Sequence, residues 1–351
     1  MAFRRLALRM LAAKGLVTNR LHPDVITRLP NCKTIVGSLR LSSFQLKLYG
    51  KQSWRNHDGS HYVMPVLTSA VVAAASAKQD EDSELVHSMK LAVLSIQKGE
   101  LEKAEKILHL SLRVAQEQSN AAAVTYIYDL LANIAFKQEN FKKAERLLLE
   151  LSRRLAASST DDNAFVEVSL KLASVYASTG DGERAEHGFR YCIDTQQRKI
   201  NAVGEQHCDP DTLGLWGMAV DWYARFLTSR GEYSRARELT ERALAVCVRL
   251  SGESGEQSVV LLNDLGTLDS LCEDYERAAE RLSRAVQLAT ERGLPDLAAF
   301  HVNLGVVQLQ QGLLREAERS CATGRRLAQR QGDDHTLDMA SKCLTKVKAL
   351  L

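Results

Sequence analysis

The chain has 351 residues, 45% of them hydrophobic and only 6% aromatic, with five prolines and a formal net charge of +3. Pro23, Pro30 and Pro65 lie near the start, leaving Pro210 and Pro295 for everything after residue 65. A β-sandwich or a disordered chain of that length needs far more turn formers, so helix is predicted throughout, and the apolar content excludes disorder for the bulk of the chain.

The charge is unevenly placed. Residues 1–78 hold 12 Lys/Arg and two acids, a net +10, whereas residues 79–351 hold 34 basic and 41 acidic residues, a net −7. A basic leader on an acidic body points to targeting, not to nucleic-acid binding, because no basic face survives in the body.

Within residues 1–62, Phe3, Leu6 and Met10 share one helical flank while Arg5 and Arg9 share another. This is the profile of a mitochondrial transit peptide, disordered before import. Residues 63–78 form an apolar sorting or membrane segment, with no charge from Val63 to Ala77. As a helix those 15 residues rise about 22 Å, short of a hydrocarbon core of about 30 Å. The stretch ends in Ala75-Ser76-Ala77, a small-x-small exit, and an acidic linker follows over residues 79–84. Together these features predict a two-part signal that addresses mitochondria, arrests the chain at the inner membrane and leaves the body facing the intermembrane space.

From residue 85 to 331 a pattern repeats: a small residue, then an alanine twelve positions later. The pairs are Ala92/Ala104, Ala132/Ala144, Ala173/Ala185, Ala224/Ala236, Gly266/Ala278 and Gly305/Ala317. A leucine or tyrosine precedes each first member (Leu91, Leu131, Leu172, Tyr223, Leu265, Leu304), and turns such as Gly231-Glu232-Tyr233 or Glu273-Asp274-Tyr275 separate the two members. Two antiparallel helices approach closely only where side chains are tiny, and one such hairpin buries too little to stand alone. An all-α solenoid of about six helix pairs is therefore predicted. Residues 332–351, with Leu337, Ala340, Leu344 and Val347 at helical spacing, should form a C-terminal capping helix with Asp334 as its N-cap. His187-Gly188 is expected to weaken the second helix of the third unit, and Gly324 is a departure in the sixth.

At these residues the chain resembles the tetratricopeptide repeat family, most clearly in NLGVVQLQQGLLREAERS and FLTSRGEYSRARELTERAL. The spacing near 40 residues is similar to the kinesin-light-chain style of the repeat. VTYIYDLLANIAF (124–136), DNAFVEVSLKLASVYA (162–177) and VVLLNDLGTLDSL (259–271) resemble a mitochondrial inner-membrane branch of that family. That resemblance implies binding to the assembled dimer of respiratory complex III (cytochrome bc1), and clearance of N-terminal fragments of its Rieske iron–sulfur subunit. A cytosolic cargo or cell-division adaptor of kinesin-light-chain type is the alternative, and it leaves the basic leader unexplained.

In this architecture the first helices of the units line a concave channel. Spacing from the small residues places Tyr126, Asp129, Asn133, Glu167, Lys171, Asp221, Arg225, Asn263 and Thr267 there as candidate partner contacts. Chaperone-binding relatives clamp a C-terminal carboxylate with Lys, Asn and Arg; here Asp129 and Glu167 occupy two clamp places, which disfavours such a ligand. An insert over Asn201–Thr212 accounts for the 51-residue spacing between the third and fourth units, and its His207 and Asp209 are further candidates for partner contact. No phosphate-binding glycine loop and no His-Glu-x-x-His occurs, so no enzyme, cofactor, metal or small-molecule substrate is expected. The seven cysteines form no Cys-x-x-Cys pair and are expected to be buried free thiols.

Overall fold

The computed structural model describes residues 84–156 and 160–351. The transit-peptide and sorting segments lie outside the described residues, as does Cys32. The described residues form thirteen helices and no strand. In order they are α1 (Glu84–Gln97), α2 (Leu101–Glu117), α3 (Ala121–Lys137), α4 (Phe141–Ala156), α5 (Asn163–Thr179), α6 (Gly182–Val203) and α7 (Pro210–Ser229), followed by α8 (Tyr233–Ser251), α9 (Glu256–Leu271), α10 (Tyr275–Arg292), α11 (Leu297–Gln310), α12 (Leu314–Gln331) and α13 (Asp334–Leu350). Each helix packs on the next, and α5 also touches α7, α9 touches α11, and α11 touches α13. This is an all-α tetratricopeptide-type solenoid of six hairpins, α1/α2 through α11/α12. None of the described helices is long and apolar enough to cross a membrane.

The small-residue register is what the hairpins close on. Ala92, Ala104, Ala144, Ala173, Ala185, Ala236, Ala278 and Ala317 are all fully buried. At Gly266 an added Cβ would lie 2.7 Å from Leu282 Cγ, so even alanine crowds that crossing. The turn inside each hairpin passes through one left-handed residue, Gly in four units and Glu139 or Glu273 (φ 58° and 65°) in the other two. Asp or Asn side chains cap many of the helices: Asn120, Asp162, Asp181, Asp209 and Asp274 each accept from a backbone N–H of the first turn.

The two helices of a unit differ in what they bury. Second helices such as α4 bury a narrow stripe, Ala144, Leu148 and Leu151. First helices such as α3, α7 and α9 are buried on most sides, because each lies between its own partner and the preceding unit. The largest core cluster runs from the third unit through the fourth to Leu261 and Leu268 of α9, and within it Phe189, Tyr223 and Phe226 meet with ring centroids 5.6–6.3 Å apart.

Four expectations from sequence are corrected. α6 runs unbroken through His187-Gly188, and Gly188 faces Ala173 so closely that a Cβ there would be 2.8 Å from the Ala173 Cβ; the glycine permits the crossing and does not weaken it. The predicted long insert is a loop of only six residues, Gly204–Asp209, because α6 and α7 lengthen to 22 and 20 residues and absorb the rest. The N-cap of α13 is Asp333, which accepts from Thr336 N, one residue before the expected Asp334. Finally, Cys321 of α12 and Cys343 of α13 are not free thiols but form a disulfide with Cα atoms 6.4 Å apart. Cys192 is free and buried as expected, whereas Cys208, Cys247 and Cys272 are free but only partly buried.

Candidate functional site

The first helices carry a set of polar residues that the hairpin stack brings together across unit boundaries. Asp129 on α3 and Glu167 and Lys171 on α5 are all buried, and Lys171 Nζ lies 2.5 Å from Asp129 Oδ1 and 3.0 Å from Glu167 Oε1. Half-buried Asn133 donates from Nδ2 to Asp129 Oδ2 at 3.2 Å. Tyr126 sits beside this group, its hydroxyl pushed up to about 12 first by burial and then by the Asp129 charge. Burial likewise raises the Glu167 carboxyl, which Lys171 only partly offsets. Lys171 is held above its ordinary value by Asp129 and Glu167, which outweigh the desolvation that works against its charge.

A second group joins α7, α9 and α11. Arg225 donates from Nε to both carboxylate oxygens of Asp221 at 3.1 Å and from Nη2 to Asp264 Oδ2 at 2.7 Å. Asn263 donates to Asp264 Oδ1 at 3.3 Å and accepts from Asn303 Nδ2 at 3.0 Å. Thr267 turns back on its own helix and donates to the Asn263 carbonyl. So Tyr126, Asp129, Asn133, Glu167 and Lys171 form one cluster, and Asp221, Arg225, Asn263 and Thr267 belong to another. His207 and Asp209 join neither. His207 is exposed in the six-residue loop, and Asp209 caps α7 by accepting from Asp211 N and Thr212 N.

Sequence reasoning missed Asp264 and Asn303, although the repeat register holds the signal. The residue two positions before the small residue is Lys171, Asp264 or Asn303 in units three, five and six, and each reaches back one unit to Asp129, Arg225 or Asn263. A third missed group lies on the other side of the stack. Asp269 at the end of α9 is fully buried, with Arg281 Nη1 at 2.7 Å and Arg237 and Arg277 within 4 Å. Glu241 on α8 binds both Arg277 and Arg281. Burial raises the Asp269 carboxyl while the three guanidinium groups pull against it. Among the described residues no three His, Cys, Asp or Glu side chains converge in a way that could hold a metal ion.

These clusters tie successive hairpins together in a stack whose units share one register, which is the construction of tetratricopeptide-repeat proteins. The family model described as "Tetratricopeptide repeat" matches residues 218–291, and one described as "Anaphase-promoting complex subunit 5" matches residues 75–140 and 267–349. Among solved structures, BtubC (BKLC) from P. vanneervenii superposes with a TM-score of 0.53 over 72% of this chain and 93% of that one, at 21% identity. The apo form of RapI gives 0.54 over 77% and 86% at 13% identity, a likeness of fold alone. Relatives in sequence are more specific. The mitochondrial tetratricopeptide repeat protein 19 homolog of Drosophila melanogaster is 30% identical over 79% of this chain and 75% of its own. Mitochondrial tetratricopeptide repeat protein 19 of Rattus norvegicus is 35% identical over 74% of this chain and 76% of its own. The chain belongs to the family of mitochondrial tetratricopeptide repeat protein 19.

Proposed function

We propose that this chain is a non-enzymatic interaction protein of mitochondria that serves the assembly and maintenance of respiratory complex III. It binds the assembled dimer at the inner membrane, with its helical body facing the intermembrane space. There it promotes clearance of N-terminal fragments of the Rieske iron–sulfur subunit. The supporting observation is the 30–35% identity to mitochondrial tetratricopeptide repeat protein 19 of fly and rat over about three quarters of each chain. The complex III role is what the family resemblance implies. A stack of like hairpins suits such a task, because repetition builds an extended protein-binding surface.

The candidate contacts divide by exposure. Partly buried Asn133 and Arg225 and exposed His207 touch the partner directly. Buried Asp129, Glu167, Lys171 and Asn263 act on binding by fixing how neighbouring units sit.

The test expresses the full chain, tagged at its C-terminus, in cells that lack their own relative. Complex III dimer should co-purify from solubilised mitochondria, and Rieske N-terminal fragments should decline. Absence of both would defeat the proposal. Protease added to mitochondria with ruptured outer membranes should digest the body; continued protection would overturn the orientation.

A further inference from the structure

The stacking surface that later units bury is left open on the first. Two residues after the small crossing residue, Ile134, Val175, Phe226, Leu268 and Val307 are between 1% and 4% exposed, whereas Leu94 of α1 is 48% exposed. Leu91 of α1 and Leu110 of α2 are 42% and 62% exposed. Two contacts fix the flank on which Leu110 stands: Ser88 of α1 meets Ser111 of α2 at 2.8 Å, and Glu105 of α2 turns to Lys143 and Gln138 of the second unit. Leu110 therefore faces away from the second unit, as Leu91 does. In later units the second helix of the preceding hairpin covers this surface; none of the described residues covers it here.

The charges on this flank are arranged about its leucines. On α1, Glu84, Leu91 and Lys98 stand seven residues apart; on α2, Lys103, Leu110 and Glu117 do the same, and all six are exposed. Seven residues are nearly two helical turns, so each trio keeps to one flank. Because α1 and α2 form a hairpin, both lysines lie at its turn end and both glutamates at its open end. Lys103 also touches Glu100 in the turn at 2.8 Å, an exposed contact of little weight.

We propose that this face docks on the same face of a second copy of the chain, about a two-fold axis that lies in the face, crosses both helices and passes by Leu91 and Leu110. Such an axis lays α1 against α1 and α2 against α2 in opposite directions, so leucine meets leucine and the lysine end of each copy lies on the glutamate end of the other. A two-fold axis running along the helices would instead lay lysines on lysines, so charge selects between the two ways of closing the dimer. An anionic lipid surface suits the face less well, since it attracts the turn end and repels the open end. Apolar burial of the leucines drives the contact, and its size sets the strength. Two helices side by side, each about 10 Å across and at most about 25 Å long, offer about 500 Å² per copy, against about 800 Å² in a standard interface, so the association is weak. The assignment does not depend on the complex III proposal, because the face and its charges belong to the body alone.

The test is sedimentation equilibrium of the recombinant full-length chain at concentrations up to about 300 µM, suited to a weak dimer. Wild type should show a monomer–dimer equilibrium. K98E/K103E leaves only acids in the two trios, and E84K/E117K leaves only bases; each should self-associate at least tenfold more weakly. An equimolar mixture of these two variants should regain or exceed the wild-type association. K346E/K348E, the same change of charge on exposed positions of α13, should behave as wild type. A wild-type chain that stays monomeric, an association that ignores the reversals, or a mixture that fails to recover would each overturn the proposal. In a second measurement, photoreactive benzoylphenylalanine replaces Leu110, and isotope-labelled and unlabelled chains are mixed. The dominant cross-link should join α2 of a labelled chain to α2 of an unlabelled one. A cross-link confined to one chain, or none, would equally overturn it.

Discussion

Lys171 of α5 reaches across to α3 and sets its Nζ 2.5 Å from Asp129 Oδ1, one turn from its other partner, Glu167. One cation thus lies between two carboxylates, all three of them buried. Removing it strands buried charge, which costs about 3–5 kcal/mol when the partner stays in place. Lys171→Met should lose about that much in a denaturant titration followed by circular dichroism. D129N/K171M should recover part of the loss, because the pair is then gone together. A single variant with the wild-type midpoint would place Lys171 outside the cluster.

Glu167 gives the cluster a pH dependence of defined sign. Burial raises its carboxyl above the ordinary value of 4.5, with Lys171 opposing and Asp129 reinforcing the shift. Between 4.5 and that raised value the folded chain keeps a proton that the unfolded chain has released. Its contribution to stability is therefore greatest below 4.5, falls as the pH rises through the window, and is constant above it. Glu167→Gln removes this slope, so the stability of the variant relative to wild type should rise with pH above 4.5 and then level off. Glu105 and Glu241, held low by hydrogen bonds from Lys143 and Arg281, run the opposite way, but they are common to both chains and cancel. Parallel stability curves would refute the assignment.

The fold was legible in the sequence because its main constraint is steric and local. A crossing such as Ala92 on Ala104 tolerates only the smallest side chains, so it leaves a mark twelve residues apart that recurs in every unit. The candidate residues were legible as positions on first helices, but not as pairs. Lys171 and Asp129 are 42 residues apart, Arg225 and Asp264 39, and Asn303 and Asn263 40, so the partner of each lies one whole repeat away. Composition alone cannot show that, although the repeat register can. The supposed insert misled for another reason. Its first residues, Asn201 to Val203, continue α6, and only the glycine at 204 marks where the helix ends. The Cys321–Cys343 pairing follows from how α13 packs on α12, which an irregular spacing of 22 residues does not announce.

Two glycines inside helices make opposite predictions from the same substitution. At Gly188 an alanine Cβ would sit 2.8 Å from the Ala173 Cβ at the hairpin crossing. Forcing those helices apart should cost about 1–3 kcal/mol, more than the gain in helix propensity returns. At Gly214 in α7 the nearest atom to an added Cβ is Leu250 Cδ1 at 4.0 Å, ordinary contact distance. Gly214→Ala should therefore stabilise by about 0.5–1 kcal/mol. Thermal melts of both variants beside wild type check this. Equal shifts in the same direction would mean that space at the crossing does not decide the effect.

The disulfide closes the last helix onto the array. Cys321 and Cys343 are both buried, 22 residues apart, and Gly305 lies against Cys321, where a larger side chain would meet the sulfur. Closing a loop of that length stabilises by about 3 kcal/mol on the chain-entropy account. Alkylation of the denatured, unreduced protein should spare Cys321 and Cys343 and label Cys192, Cys208, Cys247 and Cys272. Dithiothreitol should lower the unfolding midpoint and speed amide exchange across α13, and Cys343→Ser should show the lower midpoint with no further response to the reductant. A Cys343→Ser chain that still loses stability on reduction would place the sensitive bond elsewhere. Full labelling of Cys321 before reduction would exclude the bridge.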